Sequence, residues 1–182
     1  MSSREAILQR IRQRLTAAED FRREFAASSP PAPHPVWPTL APDRGAMAER
    51  FTVELQAVQG EVLRLKGMVE APNQVPALLE QEGWATLGAI RTEMAEQITA
   101  ALPPEKLQCA DASWEPTRIA ALPVGLIPAD YLLADTGSCA VQCGSSAERL
   151  MCYLPPVCLV AARAEQLREH LPAAWQELMQ RG

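Results

Sequence analysis

ADYLLADTGSCAVQCGSS, residues 129–146, changes character at its midpoint. An apolar run ends at Asp135, Thr136, Gly137 and Ser138. An alternating run of Cys139, Val141 and Cys143 follows, and Gly144, Ser145 and Ser146 break the pattern again. A continuous apolar run reads as a strand buried on both faces and an alternating run as one buried on a single face. VCLVAA, residues 157–162, is a second continuous run, so these segments are expected to be central strands of a sheet.

Outward from them, helices and strands alternate. Residues 46–59 place Met47, Phe51, Leu55 and Val58 on one helical face; Gly60 stops the helix and 61–65 reads as a short strand. Residues 72–83 open on a proline suited to a first turn and close on a glycine suited to a C-cap, and WATLGAI follows as a strand. A helix over 92–101 is halted by Pro103 and Pro104, 107–111 reads as a strand, and 117–122 as a helical turn. Residues 164–181 carry Leu167, Leu171, Trp175 and Leu178 on one amphipathic face, with a kink at Pro172. The fold expected is α/β, with helices covering a largely parallel or mixed central sheet.

The 182 residues are 48% hydrophobic and 21% charged, enough for one well-cored domain. Before it, residues 3–18 form an amphipathic helix with Ile7, Leu8, Ile11 and Leu15 in a stripe, capped by Ser2 or Ser3, and SSPPAPHPVWPTLAP is an extended connector. The expected organisation is a helical segment over 1–27, a proline-rich connector over 28–44 and an α/β domain over 45–182. With 17 basic against 22 acidic residues and a net charge of -5, nucleic acid is not an expected partner. No segment has the apolar length for membrane insertion and the N-terminus lacks a signal-peptide core, so a cytoplasmic protein is expected. There is no GxGxxG and no Walker A loop.

Chemistry concentrates in the opening stretch. A structural turn needs a glycine and one polar residue, whereas this one holds three polar side chains. Asp135, Thr136, Gly137 and Ser138 are therefore expected to follow a central strand and, with Arg149, to face a pocket for a carboxylate or phosphate. The competing reading is a tight hairpin in which Gly137 supplies positive φ and no ligand is needed. Gly144 to Arg149, with two serines and an arginine, can clamp a phosphate or carboxylate; the competing reading is that Ser145 or Ser146 caps a short helix whose Glu148 and Arg149 face solvent. Acid or base work falls to carboxylates such as Asp130 and Asp135, because His34 lies in the proline connector and His170 in a polar part of the last helix, where a His-based triad is hard to assemble. The spacing of Cys139, Cys143, Cys152 and Cys158 fits neither zinc pairs nor ferredoxin clusters. On one strand Cys139 and Cys143 would lie about 13 Å apart, so small buried hydrophobes in a reducing compartment are expected, with no metal and no cofactor in this chain.

SREAILQRIRQRL near the start, FTVELQAVQGEVLRL from Phe51, ADYLLADTGSCAVQCG, the single Arg149 and Leu154-Pro155-Pro156 before a strand together resemble the lactate-utilization protein C family, whose core is the LUD domain. The resemblance implies a fold similar to sugar-phosphate isomerases, coenzyme A transferases and folate cycloligases. It also implies a role in oxidising L-lactate to pyruvate, with iron–sulfur clusters carried by partner subunits and a small organic acid or phosphorylated ligand bound here. The chain departs from the pattern in Ser138, where threonine is common, in its cysteines around the signature and in its proline connector.

Fold kinship opens two further readings. Coenzyme A transferases carry a glutamate nucleophile in a short acid-polar-glycine turn, which Asp135, Thr136 and Gly137 resemble with the acid one methylene shorter; a free-standing acyl or sugar-phosphate enzyme would use it. A non-catalytic assembly factor would instead grip a partner through its N-terminal helix.

Overall fold

A computed structural model describes residues 3–26 and 43–181. The chain divides into two units, the first holding α1 (Ser3–Ala26) and the second everything after it. Helix α1 is unbroken through Phe21 and Phe25, and Ile7, Leu8, Ile11 and Leu15 lie exposed along it. Ser2, His34, Trp37 and most of the expected connector fall outside the described residues. The connector's last two positions belong to the next helix: Asp43 is its N-cap, accepting from Ala46 N at 2.9 Å, and Arg44 its first residue.

The second unit runs α2 (Arg44–Ala57), α3 (Ala71–Glu82), β1 (Leu87–Ile90), α4 (Glu93–Thr99), β2 (Leu107–Ala110), α5 (Pro116–Ala120) and β3 (Val124–Pro128). It continues through β4 (Tyr131–Leu133), β5 (Ser138–Ala140), α6 (Ser146–Met151), β6 (Val157–Ala161), β7 (Leu167–Arg168) and α7 (Leu171–Arg181). The strands form two sheets. One is wholly parallel, in the order β2-β1-β3-β6; the other is mixed, in the order β5-β4-β7, with β5 antiparallel and β7 parallel to β4.

The parallel sheet is covered on both faces. Leu87, Ala89, Val124 and Leu126 pack with Val75 and Leu79 of α3 and Ala95 and Ile98 of α4. Ile90 and Ile127 point the other way, onto Ile119 of α5 and Ala147 and Met151 of α6. The period-2 alternation of a strand accounts for this sorting. Gly88 and Gly125, register partners, make room for the second layer: a methyl group on Gly125 would lie 2.8 Å from Met151 Sδ. In the smaller sheet Tyr131 and Leu133 face Ala174 of α7, while Leu132 and Cys139 face Met47 and Phe51 of α2.

Four local expectations are corrected. The single helix expected over 164–181 is a short strand followed by a shorter helix: Leu167 and Arg168 pair with β4 as β7, and α7 begins only at Leu171, with Pro172 in its first turn rather than at a kink. The central strands are β1 and β3; β6 is an edge strand with Cys158 and Val160 exposed, and β4 with β5 belongs to the smaller sheet. Residues 61–65 form no strand. Val62 packs on the α2 cluster and Leu65 on the α3 cluster, so the segment crosses from one core to the other with no strand beside it to complete a ladder. Helix α2 ends at Ala57 with Val58 as its C-cap, and the left-handed residue that closes it is Gln59 (φ 65°) rather than Gly60, whose N donates to Leu55 O at 2.9 Å. By contrast Gly83 (φ 68°) closes α3 and Pro72 sits in its first turn, as the sequence predicts.

Candidate functional site

Asp135, Thr136, Gly137 and Ser138 come together in the β4–β5 hairpin. Leu133 pairs with Ser138 across the ladder, leaving residues 134–137 as the turn. Gly137 is buried with φ 63°, and the backbone of Glu54 and Leu55 in α2 occupies the space where a side chain would project. Asp135 N donates to Glu169 O at 3.0 Å, and Thr136 Oγ1 to Asp135 Oδ1 at 3.3 Å. Thr136 and Ser138 are exposed and Asp135 half-buried. Arg149 stands on α6, exposed, and the length of the hairpin separates the turn from the start of that helix.

A different place has the geometry of a ligand site. In the parallel sheet β1 leads to β2 on one side and β3 leads to β6 on the other, so the strand order reverses between β1 and β3. Ligands in open α/β sheets bind outside the carboxyl ends of the strands at such a reversal. A cleft of about 170 Å³ lies there, with Ile90, Ile127 and Val141 as its apolar lining and Thr92, Asp130, Gln142 and Glu148 as its polar groups. Neither the hairpin turn nor Arg149 lines it.

Each polar group is held by its local fold. Thr92 caps α4, its Oγ1 accepting from Ala95 N at 3.2 Å, which leaves the hydroxyl proton unused by the cap. Asp130 follows β3 and accepts from Gln142 N at 2.6 Å through Oδ2. Ser145 caps α6, and Glu148, expected to face solvent, turns back instead: its Oε2 accepts from Gly144 N at 2.6 Å and its Oε1 from Ser145 Oγ at 3.1 Å. Behind the cleft, Ala129 N donates to Ala161 O at 2.8 Å and Asp130 N to Ala140 O at 2.8 Å, so the chain leaves one sheet and enters the other within two residues. Gln166 secures that crossing: Nε2 donates to Ala129 O and, at 3.2 Å, to Asp130 O, while Oε1 accepts from Arg163 N at 2.6 Å.

The cleft can hold a small polar molecule between neutral donors and two backbone-anchored carboxylates. Of these groups the sequence points to Asp130, as an acid or base. It does not point to Thr92, Gln142 or Glu148, and only the capping pattern of Thr92 and Ser145 marks this neighbourhood in the chain.

All five cysteines are free thiols; Cys158 is exposed and the other four are half-buried rather than fully buried. Among the described residues no group of three or more His, Cys, Asp or Glu side chains is placed to hold a metal ion. Burial, with a contribution from Cys158, pushes Cys139 up to about 11. Among the described residues no helix is long and apolar enough to cross a membrane.

The LUD domain family matches residues 48–181. Among solved structures, the chain is similar to a DUF162 family protein from Deinococcus radiodurans, with a TM-score of 0.64 at 10% identity, covering 77% of this chain and 82% of that one. Comparison with curated proteins gives no match.

Proposed function

The chain belongs to the LUD-domain family, and on that premise we propose that it is a lactate-utilization subunit that acts with iron–sulfur partner proteins in oxidising L-lactate or a related small organic acid. Its part is to hold the acid in the cleft between β1 and β3. The observation that carries this reading is the cleft's place and size. At about 170 Å³ it falls below the ~300 Å³ where pockets for drug-sized ligands begin, and it has room for about five or six waters at ~30 Å³ each. That suits an acid of a few carbons.

Charge sets the orientation. Asp130 and Glu148 repel a carboxylate and accept from a hydroxyl, so the acid's hydroxyl end faces them and its carboxylate takes the neutral donors Thr92 and Gln142. The exposed Thr136 and Ser138 hydroxyls and the Arg149 guanidinium are the other candidate anion partners, with Asp135 beside them.

Two measurements test this. Deleting the gene should abolish growth on L-lactate as sole carbon source, and iron–sulfur proteins should co-purify with the tagged chain; unchanged growth sinks the reading. Calorimetric titration with L-lactate then separates the two candidate locations. Gln142→Ala should weaken binding by about tenfold or more, the cost of one hydrogen bond to a carboxylate, with Arg149→Ala unchanged. A loss of tenfold or more in Arg149→Ala alone would move the anion to the arginine and the hairpin turn.

A further inference from the structure

The two sheets end in four edge strands, and three of them are protected. β5 and β7 span three and two residues, and β2 carries Gln108 and is bracketed by Lys106 and Asp111. Short length and charge are what keep an edge from pairing with another chain. β6 has neither: it runs for five residues, and no charged residue occurs from Leu150 to Ala162. Pro155 and Pro156 lie before the strand rather than in it. Cys158 and Val160 are exposed on it, and among the described residues no strand but β3 pairs with it.

The backbone of β6 sorts its own hydrogen-bonding groups. Ala161 O accepts from Ala129 N at 2.8 Å, so Ala161 turns its N–H and C=O toward β3. Alternation along the strand turns Val157 and Leu159 the same way and leaves Cys158 and Val160 with their N–H and C=O toward the open edge. These two outward residues flank Leu159, one on each side, and that arrangement is self-complementary. A second β6, turned antiparallel by a two-fold axis at Leu159, sets Cys158 of each copy opposite Val160 of the other, and the outward N–H and C=O groups of both residues all find partners.

We propose that β6 is a dimer interface, pairing antiparallel with β6 of a second copy of this chain and joining the two four-stranded parallel sheets into one. Charge favours the same partner. In this register Arg163 lies level with Pro155 of the second copy, so each guanidinium meets the uncharged loop that carries Tyr153, 77% exposed, and no like charge is set opposite it. Leu159 meets Leu159 on the axis, on the face where β6 is only half-buried against the core of α3 and α4. Pairing at this edge is independent of which acid the cleft binds, because the cleft lies between β1 and β3.

The test is the mass of the full-length chain in solution, read by analytical ultracentrifugation under reducing conditions. The unaltered protein should show twice the 19.9 kDa chain mass. Val160→Lys puts a charge into the pairing edge, and Val160→Pro removes an outward N–H without touching the ladder to β3; each should return the mass to 19.9 kDa with the circular dichroism spectrum unchanged. Val160→Cys assigns the register. Its thiol should stand opposite Cys158 of the second copy at a Cα separation of about 5.5 Å, within disulfide reach, so mild oxidation should link the chains on a non-reducing gel. The link should vanish when Cys158→Ser is added. A monomer at every concentration would overturn the proposal and leave the edge to a strand of another protein. A dimer that survives both edge variants, or a link that forms without Cys158, would place the contact elsewhere and overturn it equally.

Discussion

Gly137 rests directly on the backbone of Leu55: the turn of the β4–β5 hairpin and the C-terminal half of α2 share a space that admits no side chain. Flexible side chains could yield, but the nearest atoms are backbone, the Glu54 carbonyl carbon lying 2.7 Å from where a methyl would stand. Gly137→Ala adds left-handed strain to that overlap and should cost about 2 kcal/mol or more, lowering the melting temperature; a loss under about 0.5 kcal/mol would show that the hairpin can lift from α2 freely.

Arg168 and Glu177 tie β7 to α7. The guanidinium donates to both carboxylate oxygens, at 2.9 and 2.8 Å, and Tyr131 Oη to the same carboxylate at 2.9 Å from below. Glu177 raises Arg168 further above its usual range. Side-chain exposures of 25% and 43% cut the value of the pair. A double-mutant cycle of Arg168→Met and Glu177→Gln, followed by urea denaturation, should give a coupling near ~1 kcal/mol.

The Gln166 amide uses both its ends, and an isosteric change separates them. Gln166→Glu keeps the shape and the acceptor for Arg163 N but sets a carboxylate against the Ala129 and Asp130 carbonyls. It should destabilise by about 2–3 kcal/mol, with Gln166→Ala less severe because no charge is left facing the carbonyls.

Cys139 gives stability a dependence on alkaline pH. Its folded value, near 11 against an ordinary 9.0, means that the folded state holds the proton more tightly than the unfolded one. Its contribution is therefore complete below pH 9 and is lost as pH rises through 11. Denaturation midpoints at pH 8 and pH 10.5 should differ more in the unaltered protein than in Cys139→Ala; equal slopes would mean the thiol is solvated. The comparison must be made within this pair, because Cys152 and Cys158 are raised too.

Local signals in the sequence were legible where one segment decides its own shape. Pro72 and Gly83 frame α3, Gly137 marks a hairpin, and Ser145 a cap, because each acts through its own backbone. The order of strands is not local. Val157, Leu159 and Ala161 look as apolar as a central strand, yet β6 lies at an edge, since only one neighbour pairs with it. The cleft was legible only in Asp130. Its lining comes from residues 90–92, 127–130 and 141–148, which converge because β3 hands the chain directly to the second sheet, and no periodicity encodes that convergence.

That two-residue passage at Ala129 and Asp130 also governs where the molecule can be cut. A break there would sever hydrogen bonds to Ala161 and Ala140 and strip Gln166 of its acceptors, so fragments divided at the midpoint should not reassemble. Gly67, by contrast, has no atom within 4 Å of a methyl built on it, and Val69 beside it is 88% exposed. A protein split at Gly67 should recover its fold by fragment complementation, the short piece docking through Met47 and Phe51 onto the Leu167 side of the smaller sheet.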